Sequence, residues 1–404
     1  MKEVRDSRSD PVTYTCTCDA GPDSGSVLLF YRYWSKHPKL SERHAKQATD
    51  LESLAQWHRE LMQAGALTGK VRIAKEGYNI TVAGAHLGIT RYMAECRGHW
   101  SFDGLDANDS FFKPSLGCSC VFTSANIRVV AEITPMGVEG YVPAQWETVT
   151  DLSPEEFHQK LQEQKSALID VRNHYESRIG YFIDPTSGEP AIRLNIRRFS
   201  QWPHYAMRHL NDLSNANNKQ VLTYCTGGIR CEKAVRWMQE MVVQDPDVQI
   251  YTLRGGIAAY LDWINKEIQE GRKSPEDSYF LGRNFVFDGR GSIGQDGQSA
   301  PVSKCHVCEN PSDSLGKCGS PTCHLILVLC ASCQEKDPRC CDDCRSSSMD
   351  GLDLRSKQRK MCACEEAREE GLWGNKPSKI AKARASRKKN AKQVSDGSIA
   401  KDSH

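Results

Sequence analysis

One cysteine of this chain lies where its thiol could become a reactive thiolate. A β-prone run, residues 221–224, delivers Cys225 to the mouth of a short loop that closes on an arginine and continues as a helical pattern. Loop N–H groups and the helix N-terminus would face the sulfur and stabilise its anion. Two glycines favour this fold, because glycine takes backbone angles that other residues resist. We predict that Cys225 is a nucleophile and that an anion is held by Thr226, Gly227, Gly228, Ile229 and Arg230.

The length of the loop separates two classes of cysteine enzyme. Four residues lie between Cys225 and Arg230. A cysteine phosphatase loop needs one residue more, which would put its arginine where Cys231 stands. The shorter ring suits a sulfur atom or a persulfide better than a tetrahedral phosphate, so the spacing argues against a phosphatase.

Cys231 has two interpretations. It could resolve a persulfide or sulfenate on Cys225 as a disulfide. Alternatively, it is a small apolar residue at the start of the helix, which is the interpretation we favour from the sequence.

The elements around the loop predict how it is positioned. Ser153, Pro154 and Glu156 form a capping box that opens a helix. A strand at 167–172, the strand before Cys225, the helix after it, a strand at 250–253 and a helix at 257–268 follow. This alternation predicts a parallel sheet with helices on both faces and a site at the carboxyl ends of its strands. Asp170 and Arg172 end one such strand, so we expect them to support the loop.

The region before this sheet predicts a different domain. A strand at 27–33, a helix around residues 51–61, a β-hairpin at 71–83, a weaker helix before Trp100 and a β-rich stretch at 121–133 succeed one another. The order β-α-β-β-α-β is the split, ferredoxin-like arrangement. Cations can bind phosphates and aromatic rings can stack on bases, although aromatic residues also fill cores. The residues predicted to contact RNA are Arg32, Arg72, Lys75 and Tyr78.

The C-terminal part is rich in cysteine. The chain has 18 cysteines, of which 11 lie between Cys305 and Cys364. No secretory signal is visible, so this clustering favours metal ligands over disulfides, and a reducing compartment, the cytosol or the nucleus. Four pairs with ligand spacing predict two structural zinc sites, an iron–sulfur cluster being the alternative. The predicted ligands are Cys305, Cys308, Cys318, Cys323, Cys330, Cys333, Cys341 and Cys344.

The pairing of these ligands is open. Interleaving would join the first pair with the third and the second with the fourth, whereas consecutive pairing is the alternative. Cys340 and His324 stand beside proposed ligands and could substitute for them. Cys362 and Cys364 are assigned to a polar helix outside the ligand set. No organic cofactor is evident.

Charge and hydropathy restrict the remaining possibilities. The formal net charge is +2, and residues 376–392 hold eight Lys/Arg and no acid. This tail could bind RNA, serve as a nuclear import signal or be a solvated run. The longest apolar run, residues 325–331, is too short to span a membrane. The predicted segments are a disordered lead-in (1–25), the ferredoxin-like domain (26–135), a linker (136–152), the α/β domain (153–275), a connector (276–303), the cysteine-rich module (304–345) and a polar, basic tail (346–404).

The cysteine loop resembles the active-site segment of the rhodanese superfamily. More specifically, the chain resembles the bacterial tRNA uridine hydroxylases and the plant and animal rhodanese-domain proteins with a C-terminal cysteine-rich region. The residues that carry the resemblance span roughly 26–345. They are Glu76-Gly77-Tyr78-Asn79 with Thr81 and Gly84, Glu132-Ile133, Asp170-Val171-Arg172-Asn173 with Tyr175, Glu176 and Gly180, the segment 224–234, Arg254-Gly255-Gly256-Ile257 with Tyr260 and Leu261, and Phe285-Val286-Phe287-Asp288, the last read as a short strand.

This resemblance implies an α/β fold with a ferredoxin-like N-terminal domain, a central rhodanese-like doubly wound sheet and a small zinc module. It implies an enzyme with a thiolate or persulfide on Cys225, supported by Asp170, Arg172, Glu176 and Cys231, that converts the wobble uridine of tRNA to 5-hydroxyuridine with molecular oxygen. The alternatives are a thiosulfate-type sulfurtransferase acting on small molecules or protein thiols, and a zinc-dependent adaptor with a vestigial rhodanese fold. The expected partners are tRNA and a sulfur donor protein. Tyr78, Ile80 and the stretch 182–202 depart from the bacterial pattern.

Overall fold

The structure is a computed structural model of the chain. It describes residues 21, 24–36, 46–47, 49–104, 111–138, 140–163, 166–210, 220–243, 245–295, 300–320, 323, 325–346 and 362–373. Three predictions lie outside these residues: the lead-in before residue 21, His324 as a substitute ligand, and the basic tail after residue 373.

The N-terminal domain is a five-stranded sheet with two helices on one face. Its strands lie in the order β4-β1-β3-β2-β5. β1 pairs antiparallel with both β3 and β4, whereas β2 pairs parallel with β5. The predicted β-α-β-β-α-β order is therefore present in β1–β4, and the predicted last strand corresponds to an added edge strand, β5. The elements are β1 (Gly25–Tyr33), α1 (Leu51–Ala64), β2 (Thr68–Ala74), β3 (Gly77–Gly84), α2 (His86–Arg97), β4 (Lys113–Gly117) and β5 (Ala125–Val129).

Alternation along β1 gives the domain two different faces. Successive side chains of a strand point to opposite sides of the sheet. Leu28 and Phe30 belong to the core under α1 and α2, together with Tyr78 and Ile80 of β3. Tyr31 and Tyr33 point the other way, toward the central domain.

The central domain is the predicted parallel sheet. Its strands lie in the order β6-β11-β10-β7-β9, and each of the four pairings is parallel. The capping box is present, because Glu156 N–H donates to Ser153 Oγ at 3.2 Å and Ser153 N–H donates to Glu156 Oε2 at 2.7 Å. The elements are β6 (Thr150–Leu152), α3 (Pro154–Glu163), β7 (Ala167–Asp170), β8 (Gly180–Phe182), β9 (Ile192–Arg193), α4 (Trp202–His209), β10 (Gln220–Tyr224), α5 (Ile229–Met241), β11 (Gln249–Leu253) and α6 (Gly256–Gln269).

Two hydrophobic cores lie on opposite faces of this sheet. Val221 of β10 packs in one core with Trp202 of α4 and Val235 of α5. Leu222, the next residue, packs in the other core with Phe157 of α3 and Ile257 of α6. Burial on both faces explains why β10 is apolar throughout rather than alternating.

A small antiparallel sheet and the cysteine-rich module complete the fold. The short strand predicted at 285–288 is wrong in position: the strand is β12, which ends at Phe285 and pairs with β8 and β13. Among the described residues no helix is long and apolar enough to cross a membrane. The elements are β12 (Phe280–Phe285), β13 (Ser292–Gly294), β14 (Leu315–Lys317), β15 (Ile326–Val328), α7 (Ala331–Gln334), α8 (Asp342–Ser346) and α9 (Ala363–Trp373).

Ion pairs join the N-terminal and central domains. Lys233 of α5 has only 1% of its side chain exposed, and its Nζ lies 2.9 Å from Glu76 Oε2 and 2.6 Å from Glu132 Oε2. Lys36 forms ion pairs with Glu232 and Asp151. These cations and carboxylates come from different domains and lie beside the N-terminal end of α5, so the docking of the domains holds the residues that follow the cysteine loop.

We predict that Lys233→Met loosens this interface. Removing the ammonium leaves two carboxylates poorly solvated and unpaired, which costs about 3–5 kcal/mol. Amide hydrogen exchange in α5 and β3 should therefore accelerate strongly. Lys160→Met is the matched control, because its partner Glu163 is 55% exposed and such surface pairs contribute about 0–1 kcal/mol. Equal exchange rates in the two variants would contradict the prediction.

Candidate functional site

The cysteine loop lies at the carboxyl end of β10 and is held by two helix N-termini. Gly228 has φ 95°, a left-handed conformation that favours glycine. Its N–H donates to Cys225 Sγ at 3.2 Å. From the neighbouring helix, Ile257 N–H donates to Cys225 O at 2.9 Å and Ala258 N–H donates to Thr226 O at 3.0 Å. The loop is therefore fixed by α6 as well as by α5.

Cys225 is set to be a thiolate near neutral pH. Its side chain is fully buried, and burial alone opposes ionisation. A hydrogen bond from the Cys231 thiol, the Arg230 guanidinium and the N–H groups of both residues outweigh this, and the pKa of Cys225 falls to about 6. Opposite charge and hydrogen bonding to the charged form are the causes. The predicted nucleophile therefore has a supporting electrostatic environment.

Cys231 is both a core residue and a neighbour of the Cys225 thiol. It is fully buried and packs with Ala234 and Val235 in a core of the central domain. Burial and the neighbouring Cys225 thiolate raise the pKa of Cys231 well above the usual value. The thiol therefore stays protonated and donates to Cys225, so Cys231 is a core residue that also faces the reactive sulfur.

Arg230 does not point into the loop as a free cation. Its guanidinium grips Glu176, with NH1 at 2.6 Å from Oε2 and NH2 at 2.7 Å from Oε1. NH2 also donates to Thr226 Oγ1 at 2.9 Å. Glu176 is completely buried, and Asn173 N–H donates to its Oε2 at 3.0 Å. The expectation that the Arg230 side chain grips a bound anion is therefore corrected: Arg230 fixes the loop and acts on Cys225 through its charge.

Asp170 and Arg172 form a second buried ion pair, which does not contact the cysteine loop directly. Arg172 Nε and NH2 donate to the two carboxylate oxygens at 2.8 and 2.6 Å, and NH2 also donates to Gly180 O at 2.5 Å. Neither side chain has any exposed surface. They fasten β7 to β8 and so support the segment that carries Glu176. Their effect on the loop is indirect.

The N-terminal domain covers the cysteine loop, an arrangement that no local sequence pattern predicts. A β-carbon on Gly227 would lie 2.9 Å from Leu29 Cδ2, and one on Gly228 would lie 2.7 Å from Tyr31 Oη. Tyr31 donates to Glu232 Oε1 at 3.1 Å. The outward face of β1 therefore lies directly on the loop.

Lys113 of β4 is the cation that this domain brings to the site. A β-carbon on Gly255 would clash with Lys113 Nζ, which places the ammonium at the N-terminus of α6. Burial lowers the pKa of Lys113, while Glu232, Asp262 and Cys225 oppose that shift by their negative charge. The side chain is half-buried and has no hydrogen bond or ion pair with any described residue. A lone lysine before a proline carries no pattern from which this position could be read.

The four predicted RNA contacts are dispersed. Arg32 is fully buried and donates to Ser101 O and Asp103 O, each at 2.7 Å. Tyr78 is fully buried too. Their assignment as RNA contacts is therefore wrong, because strand alternation turns both side chains into the core. Arg72 is half-buried and donates to Asn126 O and Oδ1 at 3.0 and 3.2 Å, and Lys75 is exposed in the turn between β2 and β3.

The cysteine-rich module brings its thiols together in groups of four. Cys305, Cys308, Cys330 and Cys333 have all their sulfurs within 4.8 Å of one another, as interleaved pairing of the first and third pairs predicts. The second group is Cys318, Cys323, Cys340 and Cys344. Cys340 takes the place predicted for Cys341. The cysteines of the described residues form no disulfide.

These groups fit a tetrahedral metal ion with soft ligands. A tetrahedron with metal–sulfur bonds of about 2.3 Å has sulfur–sulfur edges of about 3.8 Å. Cys308 and Cys330 lie 3.6 Å apart at their sulfurs, as do Cys323 and Cys340. The thiolate donors would hold the ion and fix the loops of the module around it. Cys362, assigned to a helix outside the ligand set, is buried against these sulfurs.

Three family models match successive parts of the chain. The UPF0176 acylphosphatase like domain matches residues 26–133, the Rhodanese-like domain residues 153–262, and the model described as Rhodanase C-terminal residues 281–345. The matches cover the N-terminal sheet, the parallel sheet with the cysteine loop, and the module with the two groups of four cysteines just described.

Curated relatives are similar to most of this chain. A tRNA uridine(34) hydroxylase of Leptospira interrogans is 31% identical over 79% of this chain and 76% of its own length. One of Cytophaga hutchinsonii is 31% identical over 71% and 83%. Rhodanese-like domain-containing protein 6 of Arabidopsis thaliana is 29% identical over 79% of this chain and 52% of its own length. With the cysteine loop, the covering N-terminal domain and these relatives together, the chain belongs to the tRNA uridine(34) hydroxylase family of rhodanese-domain proteins.

Proposed function

We propose that this protein is an enzyme that hydroxylates uridine 34 of tRNA at C5, with Cys225 as its reactive thiolate. The observation that carries the proposal is that the N-terminal domain covers the cysteine loop and places beside it a cation, Lys113, that pairs with none of the described residues. Arg254 of the central domain is exposed near Lys113 and adds a second positive charge to the same edge. Cations from two domains at one edge suit a polyanionic substrate that reaches across both.

The state of Arg230 argues against the thiosulfate-type sulfurtransferase. A small dianion needs a cation directed at it inside the loop, and both ends of the Arg230 fork are occupied by Glu176. The inward N–H of Gly228 and the low pKa of Cys225 would still suit a persulfide. Sulfur transfer, with a donor protein as partner, is therefore the second candidate. For the module we propose zinc, because four thiolates at tetrahedral spacing favour it.

The oxidation needs two electrons in addition to oxygen. Hydroxylation replaces the C5–H bond of uracil with C5–OH. With molecular oxygen, the second oxygen atom leaves as water, and two thiols supply the two electrons and two protons by forming a disulfide. Either two molecules of an external thiol or the adjacent pair Cys225 and Cys231 would meet this balance. We assign the reaction with the base to the thiolate of Cys225.

We predict that Cys225→Ser abolishes 5-hydroxyuridine formation and that Cys231→Ser only weakens it. Serine at 225 is a neutral hydroxyl at neutral pH, whereas serine at 231 can still donate a hydrogen bond to Cys225. Mass spectrometry of nucleosides from tRNA incubated with each purified variant and a low-molecular-weight thiol measures this. Equal loss in both variants would mean that the two cysteines act as a redox pair.

The same preparations separate the two candidate functions. Wild-type protein should form 5-hydroxyuridine and transfer little sulfur from thiosulfate to cyanide. Unchanged tRNA together with strong thiosulfate turnover, lost in Cys225→Ser, would overturn the hydroxylase proposal and support the sulfurtransferase.

We predict that Cys225 ionises with a midpoint near pH 6. The folded pKa is lowered, so the thiolate is present above about pH 6 and is lost as the pH falls through that value. The rate of alkylation by a small neutral reagent, followed for the Cys225 peptide by mass spectrometry, should rise with that midpoint. Glu176→Gln should shift the midpoint, because the fixed position of Arg230 depends on Glu176. A midpoint at the ordinary value of about 8.5 in the wild type would contradict this prediction.

Lys113 should matter for tRNA and not for the thiolate. We predict that Lys113→Met raises KM for tRNA about tenfold and lowers the salt dependence of binding by about one phosphate contact. The alkylation midpoint of Cys225 should shift little, since Arg230 and Cys231 are the main causes of its low pKa. Lys266→Met, on the far end of α6, is the control. Unaltered tRNA kinetics in Lys113→Met would exclude a role in substrate binding.

A further inference from the structure

The second cysteine group of the module overlaps with a third one. Cys340, Cys341, Cys344 and Cys362 also have all their sulfurs within 4.8 Å of one another. Cys340 and Cys344 belong to both groups. We infer that these six cysteines form a dinuclear zinc centre in which Cys340 and Cys344 bridge two ions, so that the protein holds three zinc ions rather than two. Cys362 lies beyond residues 281–345, the part matched by the C-terminal family model.

The sulfur–sulfur distances match two tetrahedra with a common edge. The Sγ atoms of Cys340 and Cys344 lie 3.5 Å apart, which would be that edge. Cys341 and Cys362 lie 3.8 and 3.7 Å from Cys340 Sγ. All three distances agree with the edge of about 3.8 Å expected for tetrahedral zinc thiolate.

The neighbours of Cys340 distinguish a bridging from a terminal thiolate. A terminal sulfur of an isolated tetrahedron has three sulfur neighbours, whereas a bridging sulfur has the other bridge and two outer ligands on each side. Cys340 shares one group with Cys318 and Cys323 and the other with Cys341 and Cys362, Cys344 being common to both. This is the bridging arrangement. Cys362 Sγ also lies 3.7 Å from Cys323 Sγ. Outer ligands of two tetrahedra with a common edge are about 5.3 Å apart, so the binding of both ions has to separate these two thiols.

Charge favours the shared arrangement. One Zn²⁺ with four thiolates carries a formal charge of about −2, so two separate centres would carry about −4. Two ions with six thiolates carry about −2 in total. Because Cys340, Cys344 and Cys362 are all buried, the smaller excess of negative charge lowers the desolvation cost.

The second ion would fasten α9 to the rest of the protein. Cys362 immediately precedes α9, and Ala363 N–H donates to Asp343 Oδ2 at 2.8 Å. Arg197 of the central domain donates to Glu365 of α9 at 2.9 Å and to Cys323 O at 2.8 Å. A metal bond to Cys362 therefore closes a link between the module, α9 and the central domain, independently of the reaction at Cys225.

The test is the metal content of the purified full-length protein. We expect about three zinc per chain by elemental analysis, and about two in Cys362→Ser, which removes a ligand from one ion only. Cys364→Ser is the matched control. Its thiol contacts Cys340 O and belongs to none of the cysteine groups, so its zinc content should stay at about three.

A second measurement does not depend on any variant. X-ray absorption at the zinc edge of the wild-type protein should contain a metal–metal scattering path, which isolated tetrahedra lack. About two zinc per chain without that path would overturn the dinuclear centre. Iron with acid-labile sulfide in place of zinc would overturn it too, and so would loss of zinc in Cys364→Ser equal to that in Cys362→Ser.

Discussion

The buried ion pair between Glu176 and Arg230 is the constraint on which the cysteine loop depends. Removing two charges from water is costly, and the cost is recovered only where the geometry is close to ideal and the remaining polar atoms are bonded. Here the fork is bidentate, and Thr226 and the Asn173 N–H satisfy further positions. The pair therefore fixes the end of the loop relative to β7. A positive charge of constant position then lowers the pKa of Cys225, although the guanidinium is unavailable to a substrate.

Features of the fold and the site can be predicted from the sequence where neighbouring residues determine them. The strand at Gln220–Tyr224 and the capping box at Ser153 follow from neighbouring residues, and both are present. The first cysteine tetrad follows from CxxC spacing, which brings two sulfurs to one ion whatever the rest of the chain does. Spacing does not decide whether Cys340 or Cys341 belongs to the second group of four, because adjacent residues differ only in the direction of their side chains.

The wrong or missing predictions concern features that local sequence does not determine. Arg32 and Tyr78 have the right chemistry for RNA, but the register of their strands turns them inward beside Phe30 and Ile80. No sequence pattern points to Lys113, because the sequence predicts no strand where β4 lies and Pro114 within β4 argues against one. The structure resolves this conflict by placing β4 at the edge of its sheet, where a missing N–H is tolerated. Contacts between domains, such as that of Lys113 with α6, have no signal in local pattern at all.

The glycines of the site show how closely the two domains are matched. Backbone freedom is the reason for glycine that the loop pattern indicates at 227 and 228, and φ 95° at Gly228 agrees with it. Gly227 lacks a positive φ, so a side chain there would meet no backbone strain. A β-carbon on Gly227 would instead meet the side chain of Leu29. Likewise, a β-carbon on Gly228 would meet Tyr31, and a β-carbon on Gly255 would meet Lys113. The absence of a side chain at these positions lets β1 and β4 lie on the loop, and the reactive thiolate is therefore a property of both domains.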